Sequence, residues 1–411
     1  MHINIGRNIF SYKDKTTLLA NFTGGSKMKK SLSFILVPVL LLLLSANVQA
    51  VETLEGDAIS IDAPSAILME ASSGEIIYEK DAFVHRAPAS VTKLMTMLLA
   101  AEAVDNGNVK LDDQVAASAK AASMGGSQIW LEEGETMSFG EMLKCITVVS
   151  ANDCCVAVAE HLAGSEEAFA DKMNTRAQEL GLKDTHFICC SGLSDSDEHY
   201  SCAHDLAVIS RELLKHEFIK DYTTIWMDSI RGGEFGLSNT NKLIYHYEGA
   251  TGLKTGFTSK AMHCLAASAQ RDGVEYIAVI LGAPSSSARF ESAKTLLNYA
   301  FANYTLLTPS SLCVLPNIPV SLGKSDCVGL KLESEKGILA KKEESASIEC
   351  ELILPDSLTA PIAEGQKVGT LQLKSDGKCI DEIPILAAEA VEKMTITDLF
   401  SVMLSSLLSC P

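Results

Sequence analysis

The stretch that decides the reading of this chain is Pro88-Ala89-Ser90-Val91-Thr92-Lys93-Leu94-Met95-Thr96. From Ser90 onward, Leu94, Met97, Leu98 and Ala101 recur at helical spacing until Asn106-Gly107 stops the pattern. A helix opened by Ser90 puts Lys93 on the same face, with the two Cβ atoms about 5–6 Å apart. The lysine amine can then take the serine proton, provided burial beside other cations lowers its pKa. The helix N-terminus would also supply backbone N–H groups and positive potential where an oxyanion forms.

Two further short motifs follow in order: Ser150-Ala151-Asn152 and Lys254-Thr255-Gly256. In the first, a second hydroxyl can shuttle a proton to a leaving amine, and the amide can hold a peptide group. A helix is predicted from near Asn152 to Gly164. In the second, a strand presents a cation and a hydroxyl to a carboxylate. Gly256 keeps the strand surface low so that a substrate can lie along it. Taken singly the motifs are weak, because exposed Ser and Lys on a helix satisfy S-x-x-K by chance. Their order is specific: the first opens a helix and the last opens a strand.

Outside the motifs, 66–69 and 76–78 are apolar runs around Ala71-Ser72-Ser73-Gly74, a hairpin signal. A second hairpin is predicted for 264–269 and 276–281, turning at Asp272-Gly273. Helical spacing returns at 203–214 and at 293–302. Strands at both ends with helices between predict an α/β (α+β) fold, an antiparallel sheet flanked by helices. Beyond Thr308-Pro309 the runs shorten and alternate, as at 346–354 and 367–373, and read as a small all-β domain. The last segment is amphipathic. Ile396, Leu399, Phe400, Met403, Leu404, Leu407 and Leu408 share one face, and Asp398, Ser401, Ser405 and Ser409 the other. The expected division is 1–50 as N-terminal extension and signal peptide, 51–308 as catalytic domain, 309–388 as small β-domain and 389–411 as C-terminal helix.

The 411 residues are 47% hydrophobic and 21% charged, a globular composition, with 34 Lys+Arg against 52 Asp+Glu. That balance excludes a nucleic-acid partner, which needs basic surface. Lys29 and Lys30, the apolar run 34–44 and Val48-Gln49-Ala50 read as an export signal with a cleavage site. Met28 is the expected start of translation. Removal of 1–50 leaves 28 basic against 51 acidic residues. The expected location is the outer face of the cytoplasmic membrane or the cell-wall space. The 12 cysteines include the adjacent pairs Cys154-Cys155 and Cys189-Cys190 and no C-x-x-C; they show no zinc-site spacing and read as small buried thiols, with one or two disulfides as the alternative.

On these residues the sequence resembles the low-molecular-mass penicillin-binding proteins that act as D-alanyl-D-alanine carboxypeptidases. The likeness includes Met124-Gly125-Gly126-Ser127 and 250–258, covers roughly 60–305 well, and continues more loosely to the terminal helix. It implies a β-lactamase/transpeptidase-like fold and removal of the last D-alanine from peptidoglycan pentapeptides. Ser90 would be the acylated nucleophile and Lys93 its base, with Ser150 and Asn152 assisting. Lys254, Thr255 and Arg289 would bind the terminal carboxylate along Gly256, and the N–H groups of Ser90 and Phe257 would form the oxyanion hole. Phe257 stands where many members carry histidine. The implied partners are stem peptides ending in D-Ala-D-Ala, β-lactam antibiotics and, through the terminal helix, a membrane surface. No cofactor or metal is expected.

The alternatives are a serine β-lactamase and a non-catalytic penicillin-binding scaffold. The first would share Ser90, Lys93, Ser150, Asn152 and Lys254, but 153–253 holds no E-x-x-L-N segment for deacylation. The second would have lost a motif residue, and none is lost. There is no H-E-x-x-H for a metallopeptidase and no G-x-S-x-G for a Ser-His-Asp hydrolase. His199, beside Asp197 and Tyr200, is read as a structural loop residue.

Overall fold

The computed structural model describes residues 59–401 except 346 and 376. The export signal, and Met403, Leu404, Leu407 and Leu408 of the terminal helix, lie outside the described residues. Five strands form one antiparallel sheet: β1 (Ser65–Glu70), β2 (Ile76–Lys80), β3 (Ala250–Thr258), β4 (Met262–Arg271) and β5 (Val274–Ala283). Their order is β2-β1-β5-β4-β3, so the strand carrying Lys254-Thr255-Gly256 lies at the edge. An edge strand keeps a row of unpaired backbone groups, the feature that lets an extended peptide add to a sheet.

Both faces of the sheet are covered. Ile67, Met69, Leu253, Ala266, Ile277 and Val279 share a core with the helices that follow Ser90 and Ser150. Ala66, Leu68, Leu265, Ala267, Ala278 and Ile280 pack instead on Phe290, Leu296 and Leu297. Alternation along each strand divides the side chains between two cores, which is why the middle strands read as continuous apolar runs. Four helices matter for the site: α1 (Lys93–Asp105), α2 (Asn152–Ala163), α3 (Ala203–Leu214) and α4 (Ser286–Asn303).

The predicted hairpins and helices are present with shifted ends. Strand β3 starts at Ala250, four residues before Lys254, because pairing with β4 runs from Thr258↔Met262 back to Ala250↔Ala269. Helix α4 starts at Ser286 rather than near 293, since Ser285 caps it by accepting from Ala288 N at 3.0 Å. Ser90 does not sit in the α-helix itself. It lies in a 3-10 turn, Ala89–Thr92, that leads into α1.

After α4, Tyr304–Leu307 pairs with Ile338–Lys341. Beyond it, Leu330–Leu332, Lys378–Ala387, Lys367–Ser375 and Ile348–Ile353 make a four-stranded antiparallel sheet in that order. Its core is Leu371, Leu373, Ile383 and Ile385.

Candidate active site

The turn Ala89–Thr92 is clamped by two glycines. Gly192, with φ +76°, lies so close that a Cβ there would stand 1.9 Å from the Ala89 carbonyl oxygen. A Cβ on Gly256 would meet Pro88 O at 2.9 Å and Ser90 N at 3.0 Å. Gly256 is therefore required by the approach of β3 to the serine turn, a constraint distinct from the low strand surface expected from sequence. The crowded turn holds Ala89 in the left-handed region at φ +48° and leaves Ser90 half-exposed.

Lys93 is fully buried, and its Nζ contacts three acceptors. These are Ser90 Oγ at 3.0 Å, Asn152 Oδ1 at 2.7 Å and Ser191 O at 2.7 Å. Burial pushes its pKa down, opposed by the neighbouring Cys155, Cys190, Cys189 and Asp153. A neutral amine at this place presents its lone pair to the Ser90 hydroxyl.

Asn152 opens α2 and donates from Nδ2 to Gly125 O at 2.7 Å, while its own N–H reaches Ser127 O at 2.7 Å. A Cβ on Gly126 would stand 2.8 Å from Asn152 Nδ2, so the loop closes here only as glycine. The buried Asp153 ties down the rest of that loop. Its Oδ2 accepts from Ile129 N at 3.0 Å and Leu131 N at 3.2 Å. Ser150, at φ +66°, buries an Oγ that has no hydrogen-bond partner. A buried hydroxyl left unpaired costs about 1–3 kcal/mol, which a ligand or a proton relay would recover.

Lys254, also fully buried, donates to Thr255 O at 3.0 Å. Its pKa is pushed well below the usual lysine value, first by burial and then by repulsion from Lys93. Thr255 Oγ1 donates to Thr240 Oγ1 at 2.8 Å. Arg289 reaches β3 from α4, donating from Nη1 to Gly256 O at 2.9 Å and Cys264 O at 3.2 Å, while its buried Nε is unpaired. The Phe257 side chain is exposed and packs on His263, ring centroids 4.5 Å apart.

The structure thus brings Ser90, Lys93 and Asn152 into one hydrogen-bonded cluster, with Gly256 against its turn and Lys254 close enough to repel Lys93. Sequence reasoning did not single out Ser191, Asp153, Gly192 or Thr240. Met124-Gly125-Gly126-Ser127, part of the family likeness, is the loop that holds Asn152. Cys154, Cys155 and Cys190 are fully buried, and burial pushes the Cys155 thiol up to about 12, so these sulfurs pack as neutral groups.

A family model described as D-alanyl-D-alanine carboxypeptidase matches residues 49–285. A second, described as the penicillin-binding protein 5 C-terminal domain, matches 313–393. The D-alanyl-D-alanine carboxypeptidase DacF of Bacillus subtilis is 41% identical over 372 residues, covering 89% of this chain and 95% of that protein. Penicillin-binding protein 5 from Haemophilus influenzae superposes with a TM-score of 0.70 at 28% identity, over 81% of this chain and 98% of that one. Penicillin-binding protein D2 from Listeria monocytogenes in an ampicillin-bound form covers 59% of this chain and 98% of its own, with a TM-score of 0.54 at 29% identity. Fold and comparisons define the class, a hydrolase of the peptidase type. The chain belongs to the D-alanyl-D-alanine carboxypeptidase family, and its activity is that of a D-Ala-D-Ala carboxypeptidase.

His199 is buried and holds the turn from the other side. Its Nδ1 accepts from Ile188 N at 3.2 Å, which leaves Nε2–H to donate to Thr92 Oγ1 at 2.8 Å. Burial, with His186 and Lys260 nearby, pushes its pKa down from 6.5 to about 4. As pH falls, the unfolded chain takes up this proton first, so stability is lost between 6.5 and 4 and not above. The loss should reach about 3 kcal/mol at 1.36 kcal/mol per unit. Denaturant unfolding at pH 7.5 and 4.5 should show wild type losing more than His199→Gln. Parallel losses would contradict the buried neutral imidazole.

Proposed function

We propose that Ser90 is the nucleophile, and the observation that carries this is its 3.0 Å contact with the buried, pKa-lowered amine of Lys93. Lys93 takes the hydroxyl proton as Ser90 Oγ attacks the carbonyl carbon of the penultimate D-alanine. The backbone N–H groups of Ser90 and Phe257 hold the oxyanion. Ser150, whose Oγ is unpaired, passes the proton to the departing amine of the terminal D-alanine, and Asn152 holds the substrate amide. Water then attacks the acyl-enzyme, giving its proton back through the same amine. Lys254, Thr255 and Arg289 receive the terminal carboxylate beside Gly256. Penicillin acylates Ser90 by opening its lactam ring, and its carboxylate takes the same place. Ser90→Ala should abolish labelling by a fluorescent penicillin and release of D-alanine from a pentapeptide, and labelling that persists would refute the assignment.

The charge at Lys254 sets the second expectation. A charge-assisted bond from a buried ammonium is worth about 2–5 kcal/mol on truncation, so Lys254→Ala should lower kcat/KM by that amount. Amidation of the substrate C-terminus should cost wild type a similar amount. Equal rates on free and amidated peptides would show that the carboxylate binds elsewhere. Because the Lys254 pKa is well below its ordinary value, kcat/KM should fall on the alkaline side before pH 10.5.

The chain division 1–50, 51–308, 309–388 and 389–411 is part of this reading, and the family matches at 49–285 and 313–393 support its middle two parts. Residues 1–50 would direct export, which puts the enzyme where peptidoglycan lies. The terminal helix would lie on the membrane surface. Its first described turn supports this: Thr395 and Asp398 cap it reciprocally, and Ile396 and Phe400 are 87% and 67% exposed. Among the described residues no helix is long and apolar enough to cross a membrane. With Ser, Thr and Asp on the polar face and an acidic protein behind it, attachment is apolar and should survive high salt. Deletion of 391–411 should release the protein from washed membranes, whereas release of the full-length protein by salt alone would rule this attachment out.

A further inference from the structure

The loop that holds Asn152 also presents an aromatic side chain to solvent. Trp130 is 64% exposed, and its backbone sits in the left-handed region at φ +55°, an unfavourable place for a bulky residue. Three groups hold it there. The Asp153 carboxylate fixes Ile129 N and Leu131 N on either side. Arg231 donates from Nη1 to Ile129 O at 2.9 Å and from Nη2 to Trp130 O at 3.3 Å, and it is itself anchored on Glu135. The Phe235 ring packs against the indole, centroids 5.8 Å apart. Arg231 and Phe235 belong to the hairpin Met227–Ile230 and Phe235–Ser238, which runs directly into Asn239 and Thr240, the partner of Thr255. The exposed indole is thus built on the two loops that support Asn152 and Thr255. A core residue needs no such scaffold to stay in solvent.

We infer that Trp130 is a stacking platform for the sugar to which the stem peptide is attached. The inference rests on the proposed peptidoglycan substrate and adds a subsite to it. Trp130 lies three residues past Ser127, at most roughly 10 Å along the chain from the carbonyl that binds Asn152 N. In an extended pentapeptide the sugar end lies four residues before the scissile bond, roughly 13–14 Å away. The inference places the platform at that end of the peptide. Charge selects between sugar and peptide. Glu132 and Glu133 are exposed beside Trp130 and repel the carboxylates of the stem, while a neutral sugar offers C–H bonds to the indole face and hydroxyls to the two glutamates.

Binding is measured by calorimetry on Ser90→Ala protein, so that the result is independent of turnover. The probes are a disaccharide pentapeptide and the tripeptide acetyl-L-Lys-D-Ala-D-Ala. Trp130→Ala should weaken the disaccharide pentapeptide by up to about tenfold and leave the tripeptide unchanged, and Trp130→Phe should retain most of the affinity. Equal affinity of Trp130→Ala and its parent for the disaccharide pentapeptide overturns the inference. An equal loss on the tripeptide also overturns it, because the residue would then serve the peptide or the loop. Release of D-alanine by the Ser90→Ala protein would count against Ser90 as nucleophile and leave the binding comparison intact.

Discussion

A lysine amine with no access to solvent must find its partners inside the protein, and Lys93 finds them on three separate segments. Its own turn supplies Ser90 Oγ, the start of α2 supplies Asn152 Oδ1, and the loop after residue 190 supplies Ser191 O. Two of the three contacts close long stretches of chain, 59 residues to Asn152 and 98 to Ser191. The fold must bring these segments within about 3 Å of one nitrogen, or leave a buried polar group unpaired at a cost of about 1–3 kcal/mol. Thr96 Oγ1 bonding Cys190 O at 2.6 Å and Gly192 against Ala89 serve the same closure.

The second buried lysine sharpens the constraint. Lys254 is brought near Lys93 by β3 docking on the serine turn, and repulsion from Lys93 lowers the proton affinity of Lys254 beyond what burial does alone. Arg289 adds a third positive group under the strand, bound to Gly256 O and Cys264 O. A chain with net charge −18 thus concentrates positive charge in one buried spot. Positive groups gathered in this way favour an anionic partner, and burial makes each amine easier to deprotonate.

Local patterns read well where one face of an element is apolar and both ends carry a signal. The hairpin of β4 and β5 was legible because Asp272-Gly273 demands a tight turn between two apolar runs. Helix α3 was legible because its apolar residues recur at helical spacing between Cys202 as cap and Lys215. Helix α4 was only half legible. Its first turns carry Ser286, Ser287 and Arg289, and Arg289 is buried there by tertiary contacts that override its polarity. The 3-10 turn at Ser90 reads as plain helix in the sequence, since nothing local distinguishes the two. Gly192 and Gly256 crowding Ala89 decide it.

The sequence by itself determined the chemical inventory and its local spacing. Ser90 and Lys93 share a face because three residues separate them, and Lys254, Thr255 and Gly256 alternate along a strand because a strand repeats every two residues. These follow from bonded geometry and need no distant neighbour. Only the tertiary structure decided which backbone groups complete the site. The carbonyls of Ser191, Gly125 and Ser127 carry no mark in their side chains, since every residue has a carbonyl and only folding selects the one facing an amine. Asp153 and Thr240 were hidden for a related reason: each works by holding a segment remote in sequence, and a contact of that kind leaves no periodicity to read.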